Sequence, residues 1–337
     1  MFTNSTPQRS ALALALVAGC VLAARAPRSG EVELGEGRHA YVWSQDWSAK
    51  TAGTNLGNTH GCVLVDGRGR VLVNTDTADA VVAFSPEGER LAAFGGEDLA
   101  GGLHGMALVV EDGRELIYAT HTGRGEVLAL TLDGEVLWRV GWPEASGLYA
   151  GPHEYHPTSV AVAPDGRFFV ADGYGKSWIH QYDAERTWVR AFGGPGSEPG
   201  KLATPHGIWI DTRGERPLLL VADRENRRIQ RFDLEGAFVD VFATDLERPC
   251  HMHPWGADLA VPELAGGVAV LDAEGALVTR LGANPDPALR AQNGVARARW
   301  AAGELLAPHC ATFDAAGNLY VLDWNAHGRV SKLVRAR

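Results

Sequence analysis

Three histidines occupy the same place in a recurring pattern. His206 follows Pro205, His309 follows Pro308 and His104 follows Leu103, and each opens an apolar run. They are 102 and 103 residues apart, which is two periods of a repeat of about 50 residues. In a closed ring of six such units, alternate members lie about 120° apart, so the three imidazoles would converge on the axis. Three protein ligands with one position left open are what a catalytic zinc needs. A single histidine here could equally cap a strand or bond a carbonyl; three in alternating register favour a metal. The same place in the other units holds His60, Thr158 and Cys250. His60 adds a fourth imidazole that could bind substrate, or could complete the metal's shell and make the site structural. Cys250 could be a thiolate ligand but reads as an inert, small buried residue.

The elements that would carry these residues are short strands. Residues 204–233 read TPHGIWID, a turn at Gly214, then LLLVADRENRRIQRFD, and AFVDVFA follows at 237–243. Apolar runs rich in β-branched and aromatic residues, divided by turn residues, are paired strands. The unit recurs from THGCVLVDGRG at 59, LHGMALVVEDG at 103, HPTSVAVAPDG at 156, PCHMHPWGADLAVPE at 249 and PHCATFDAAG at 308. Six four-stranded units predict an all-β, six-bladed β-propeller. The sixth lacks an outer strand, so HAYVWSQDW at 39–47 is expected to pair there and close the ring. Residues 142–155 and 283–307 exceed the repeat, the second with PDPALRAQ as a short helix, and read as lips over the channel mouth.

Composition agrees with one domain of many turns. The 337 residues are 45% hydrophobic and include 41 Gly and 17 Pro. A net charge of −10 leaves no basic stripe for nucleic acid. Residues 1–20 hold Arg9, an apolar ALALALVAG too short to span a bilayer, and Cys20. They read as a lipoprotein-type export signal, with Cys20 as the lipidated residue and simple secretion as the alternative. The expected organisation is a signal over 1–20, a linker over 21–37 and the propeller over 38–337. Three further cysteines, Cys62, Cys250 and Cys310, are odd in number and lack CxxC spacing; they read as small buried residues, with a single bridge between two of them as the alternative.

VADRENRRIQRFD, VADGYGKSWIHQYD and FGGPGSEPGKLATPHGIWID resemble NHL repeats. Among NHL propellers they are most similar to the peptidyl-α-hydroxyglycine α-amidating lyases, the zinc domains that complete C-terminal peptide amidation. The likeness is strongest over 155–233. It implies zinc on His104, His206 and His309, Tyr174 of DGYG as general base and Arg224 of ADREN as an active-site arginine. The implied reaction breaks the C–N bond of a carbinolamide and releases glyoxylate and an amide. A cation beside Tyr174 is expected to lower its pKa. Three positions depart from the family. Asn74-Thr75-Asp76-Thr77 replaces an arginine that binds the substrate carboxylate, Cys310 replaces an aspartate on a structural calcium, and Gly175 replaces a cysteine. A calcium is therefore not expected. His60 or His121, the latter in ATHTG, could take over from the arginine, and Thr75→Arg should restore it. A metal-dependent hydrolase and a non-catalytic binding propeller at the cell envelope are the alternatives. The expected partner is a small-molecule or peptide substrate at the channel mouth of a monomer, with membrane contact only through a lipid anchor.

Overall fold

A computed structural model describes residues 31–54 and 56–336; the signal assigned to 1–20 lies outside them. Six antiparallel sheets succeed one another around an axis, five of four strands and one of five. Blade four is typical. Pro205–Asp211 lines the channel, then Leu218–Asp223, Arg228–Phe232 and Phe238–Ala243 follow outward. Hairpins connect them, with Gly236 at φ +85° in the last, a left-handed conformation that glycine adopts without strain.

Burial explains the composition of each strand. Middle strands such as Val71–Asn74 and Phe168–Ala171 are buried throughout, because neighbouring blades cover both faces. They are therefore near-continuous apolar runs, whereas the outer strand Arg90–Phe94 shows its first three residues to solvent. Phe169 and Ala171 of blade three pack with Ile208, Leu219 and Val221 of blade four, and similar clusters fill the other junctions. Truncating one such residue to Ala would cost about 2–5 kcal/mol.

The last blade is closed from the other end of the chain. Tyr41–Trp43 pairs with Arg329–Arg335, Tyr41 opposite Arg335 and Trp43 opposite Leu333. Two details differ from the sequence reading. Glu33–Leu34, within the expected linker, adds a fifth strand against Tyr41–Trp43. Gln45–Gly53 is an α-helix and not a continuation of the strand. It seats buried Trp47 between Phe84 of blade one and Tyr320 of blade six, at ring distances of 6.0 and 5.4 Å.

Both long connections lie on the face where second strands end. In the first, Tyr149 donates to Asp172 Oδ2 at 2.8 Å, beside the end of Phe168–Ala171. In the second, the Ala307 carbonyl accepts from Trp324 N at 2.8 Å, and PDPALRAQ forms only the 3-10 turn Pro287–Leu289.

Candidate metal centre

The three alternate-blade histidines meet at the axis. Ring centroids are 4.9 Å apart for His104–His206 and His104–His309, and 4.6 Å for His206–His309. Each lies at an irregularity in its strand. The register slips between Leu103 and Met106, between Pro205 and Ile208, and between Pro308 and Cys310. Blade five slips likewise, between the Pro249–Glu263 bridge and the pairing of His253 with Ala260, although Cys250 stands there in place of histidine. A bulge re-aims the residue it contains, and here it turns a side chain toward the channel. Periodicity alone did not reveal these bulges.

Each imidazole is oriented by the next blade. His104 Nδ1 lies 2.7 Å from the Thr158 carbonyl, His206 Nδ1 2.8 Å from that of Cys250, and His309 Nδ1 2.8 Å from that of Gly61. A carbonyl only accepts, so Nδ1 is the protonated nitrogen and Nε2 keeps its lone pair. The following glycines make that approach feasible. A Cβ on Gly105 would sit 2.4 Å from the Thr158 carbonyl oxygen, and one on Gly207 2.4 Å from that of Cys250. Nε2 of His104 and of His309 are buried with no hydrogen-bond partner. Such orphaned acceptors are costly unless something binds them, and a metal ion suits neutral imidazoles. Burial, the largest cause, pushes all three pKa values well below the usual range; nearby cations act in the same direction. The rings are therefore neutral at neutral pH and able to ligate.

The expected triad does not by itself bring its three ligand atoms within 4.8 Å of one another; the sets of three at the ring that do each include His60 or Cys250. His60 offers a nitrogen within 4.8 Å of those of His104 and His309, and Cys250 a sulfur within 4.8 Å of those of His206 and His309. Burial pushes the Cys250 thiol up to about 11, against the pull of Arg224, which agrees with a small buried residue. His60 stands at the mouth, its ring 5.7 Å from that of Trp324.

Tyr174 and Arg224 complete the mouth. Asp172 organises the loop that carries Tyr174, accepting from His156 N at 2.8 Å and Lys176 N at 2.6 Å. A Cβ on Gly175 would lie 2.1 Å from Asp172 Oδ1 and one on Gly173 2.4 Å from the Pro205 carbonyl oxygen, so DGYG has little room for larger residues. The Tyr174 hydroxyl lies 2.9 Å from His206 Nε2, 3.3 Å from His60 Nε2 and 3.4 Å from Arg224 Nη1. The Arg224 guanidinium also lies over the Tyr174 ring, 5.4 Å from its centroid, while its Nε donates to Glu225 at 3.0 Å. It serves both the site and an ion pair. Burial raises the Tyr174 pKa and outweighs the lowering by Arg224, contrary to the expected net fall.

Of the expected replacements for the first-blade arginine, His60 stands at the mouth beside Tyr174, whereas Thr75 and His121 do not fit that role. Thr75 is fully buried, with its hydroxyl donating to the Asp79 carbonyl at 2.9 Å and accepting from Thr77 N at 3.1 Å, so it cannot be exchanged for arginine at the mouth. His121 is buried under Gly102, and Arg124 N donates to its Nδ1 at 3.3 Å; it makes no ring contact with His60, His104 or Tyr174. Asp76 is the residue at this loop whose charge reaches the site, acting on His60.

No protein-family model matches the chain. The peptidyl-glycine alpha-amidating monooxygenase A of Xenopus laevis is 43% identical over 94 residues, which are 26% of this chain and 10% of that protein. A probable peptidyl-alpha-hydroxyglycine alpha-amidating lyase of Caenorhabditis elegans is 38% identical over 82 residues, 24% of this chain and 23% of the relative. These matches span less than a quarter of either relative's length. A streptogramin B lyase structure superposes with a TM-score of 0.58 at 14% identity, covering 89% of this chain and all of the other, and shares the fold. The chain is a six-bladed propeller that resembles the amidating lyases over part of its length.

Proposed function

We propose that this propeller is a zinc-dependent carbon–nitrogen lyase that cleaves a carbinolamide of the α-hydroxyglycine type into glyoxylate and an amide. The observation that carries the reading is the meeting of the His104, His206 and His309 rings at the axis, with the Tyr174 hydroxyl and Arg224 beside them. Zinc held by the three Nε2 atoms would supply Lewis acidity to the site. His206 Nε2 cannot both ligate and accept from Tyr174, so ligation releases the phenol for the substrate. Arg224 stabilises the phenolate form of Tyr174. Tyr174 then accepts the proton of the carbinolamide hydroxyl. The C–O bond becomes a carbonyl as the C–N electron pair leaves with the amide nitrogen, which takes a proton from Tyr174. His60 and Trp324 wall the mouth and limit water.

The first blade modifies the reading. Asp76, facing His60, disfavours a free substrate carboxylate, so a high KM is expected for α-hydroxyglycine peptides. Export and lipidation at Cys20 belong to the same proposal, and Cys20→Ala should release the protein from the membrane fraction. The deciding assay is glyoxylate release from an α-hydroxyglycine peptide by zinc-replete protein. Bound zinc without glyoxylate would sink the lyase and leave a metal-dependent hydrolase or an envelope binding propeller.

A further inference from the structure

Just beyond the histidine ring, Cys62, His251 and Cys310 come together from blades one, five and six. Their ligand atoms lie within 4.8 Å of one another, and all three residues are buried. The thiols are unbridged. Cys310 Sγ lies 3.6 Å from the Val63 carbonyl, which already accepts from Thr312 Oγ1 at 2.7 Å, and the Cys62 and Cys310 thiols are hydrogen-bonded to each other. His251 is 6% exposed, and its Nδ1 is buried with no partner at all.

Packing alone does not account for this cluster. Small buried cysteines need no company, but a buried imidazole nitrogen left unsatisfied costs about 1–3 kcal/mol. The residue after the inward position is Gly61, Gly105 and Gly207 in blades one, two and four, where a Cβ would collide with its surroundings. Blade six has room there for a side chain and carries Cys310. Two sulfurs and one imidazole form a soft donor set, suited to thiophilic ions and poorly suited to oxygen-seeking cations. A cavity of about 10 Å³ touches Cys62, His251 and the three ring histidines but not Cys310, so it separates the two clusters and the case for an ion rests on the donor set alone.

We propose that Cys62, Cys310 and His251 form a second metal site, distinct from the histidine ring, for one thiophilic d10 ion, zinc(II) or copper(I). The ion would tie blade one to blades five and six, across the junction where the ring closes. Three ligands suffice for copper(I), whereas zinc would require one more donor, such as water.

Cobalt(II) is the direct probe. Reduced, metal-stripped full-length protein titrated with cobalt(II) should take up two equivalents and develop a thiolate-to-cobalt charge-transfer band in the near ultraviolet. Histidine ligands alone give no such band. It should persist in His206→Ala, which disables the ring, and in Cys250→Ser, which removes the other nearby thiol. It should vanish in Cys62→Ser. Displacement of cobalt by zinc(II) and by copper(I) then identifies the tighter occupant. Should Cys62→Ser misfold, X-ray absorption of zinc-loaded His206→Ala, whose thiols are intact, counts the sulfur neighbours, and two are expected. A spectrum without charge transfer, a band lost in Cys250→Ser, or zinc without sulfur neighbours would each overturn the site.

Discussion

Blades two, four and six differ from blades one, three and five where they meet the axis. The even blades bulge at the inner strand and turn His104, His206 and His309 inward. The odd blades supply the carbonyls of Gly61, Thr158 and Cys250 that hold those imidazoles. One set carries ligands and the other orients them. Three-fold chemistry can thus be built on a six-fold frame without disturbing the blades' outer strands.

The largest effects should come from breaking the even set. His206→Ala should abolish stoichiometric metal at the ring, while Thr158→Ala, whose backbone carbonyl remains, should keep it; metal analysis of both variants is the check. If Thr158→Ala loses the metal and His206→Ala does not, the division of labour is wrong. Next comes Tyr174→Phe, carried by an odd blade. It should leave metal content intact and lower kcat by about 10²–10⁴-fold, the usual scale for a general acid–base group. A KM change with constant kcat would reduce Tyr174 to a binding residue.

Acid should act through the odd-blade support. His180 accepts from Trp188 Nε1 at 3.3 Å, so its Nε2–H donates to Tyr149 at 2.7 Å, and Tyr149 holds Asp172 under the Tyr174 loop. Burial lowers the His180 pKa to about 3 from an ordinary 6.5. The unfolded chain therefore takes the proton first as pH falls. Stability is complete above about pH 6.5 and declines below it by up to about 1.4 kcal/mol per pH unit for this histidine. Urea midpoints of metal-free protein should show the decline, and His180→Asn should make it shallower by this histidine's share, the ring histidines supplying the rest.

Gly207→Ala tests the contact between the sets. A Cβ 2.4 Å from the Cys250 carbonyl oxygen must push blades four and five apart. The expected cost is about 1–3 kcal/mol, with weaker metal binding; unchanged affinity would mean the carbonyl does not orient His206. The smallest effect concerns the first blade alone. Asp76→Arg should lower KM for a carboxylate substrate several-fold without altering kcat, and an unchanged KM would show that Asp76 stands outside the substrate path.

Much of this was legible in the sequence because it repeats. The six units, the alternating histidines and the closing strand around Tyr41 all follow from period and composition. The bulges were not, since a one-residue slip between paired strands leaves no mark on hydrophobic alternation. Alignment by position likewise hid the second cluster. Cys62 lies two residues after its inward position, Cys310 and His251 one after theirs, and only the real registers bring them level. Thr75 misled for a related reason: counting placed it at the mouth, whereas its hydroxyl is turned into its own hairpin. Residues 45–47 read as the end of the closing strand, whereas they open the helix Gln45–Gly53, from which Trp47 meets Phe84 and Tyr320.

Tyr41 facing Arg335 has a mechanical consequence. Both ends of the described chain leave the ring at one clasp, so a pull applied between them would load the seam of blade six and spare the other five. A peptide link joining those ends would leave the architecture unchanged, and new termini could then be cut at any hairpin on the outer rim. The ring has a latch, and its position is a choice of connectivity more than of shape.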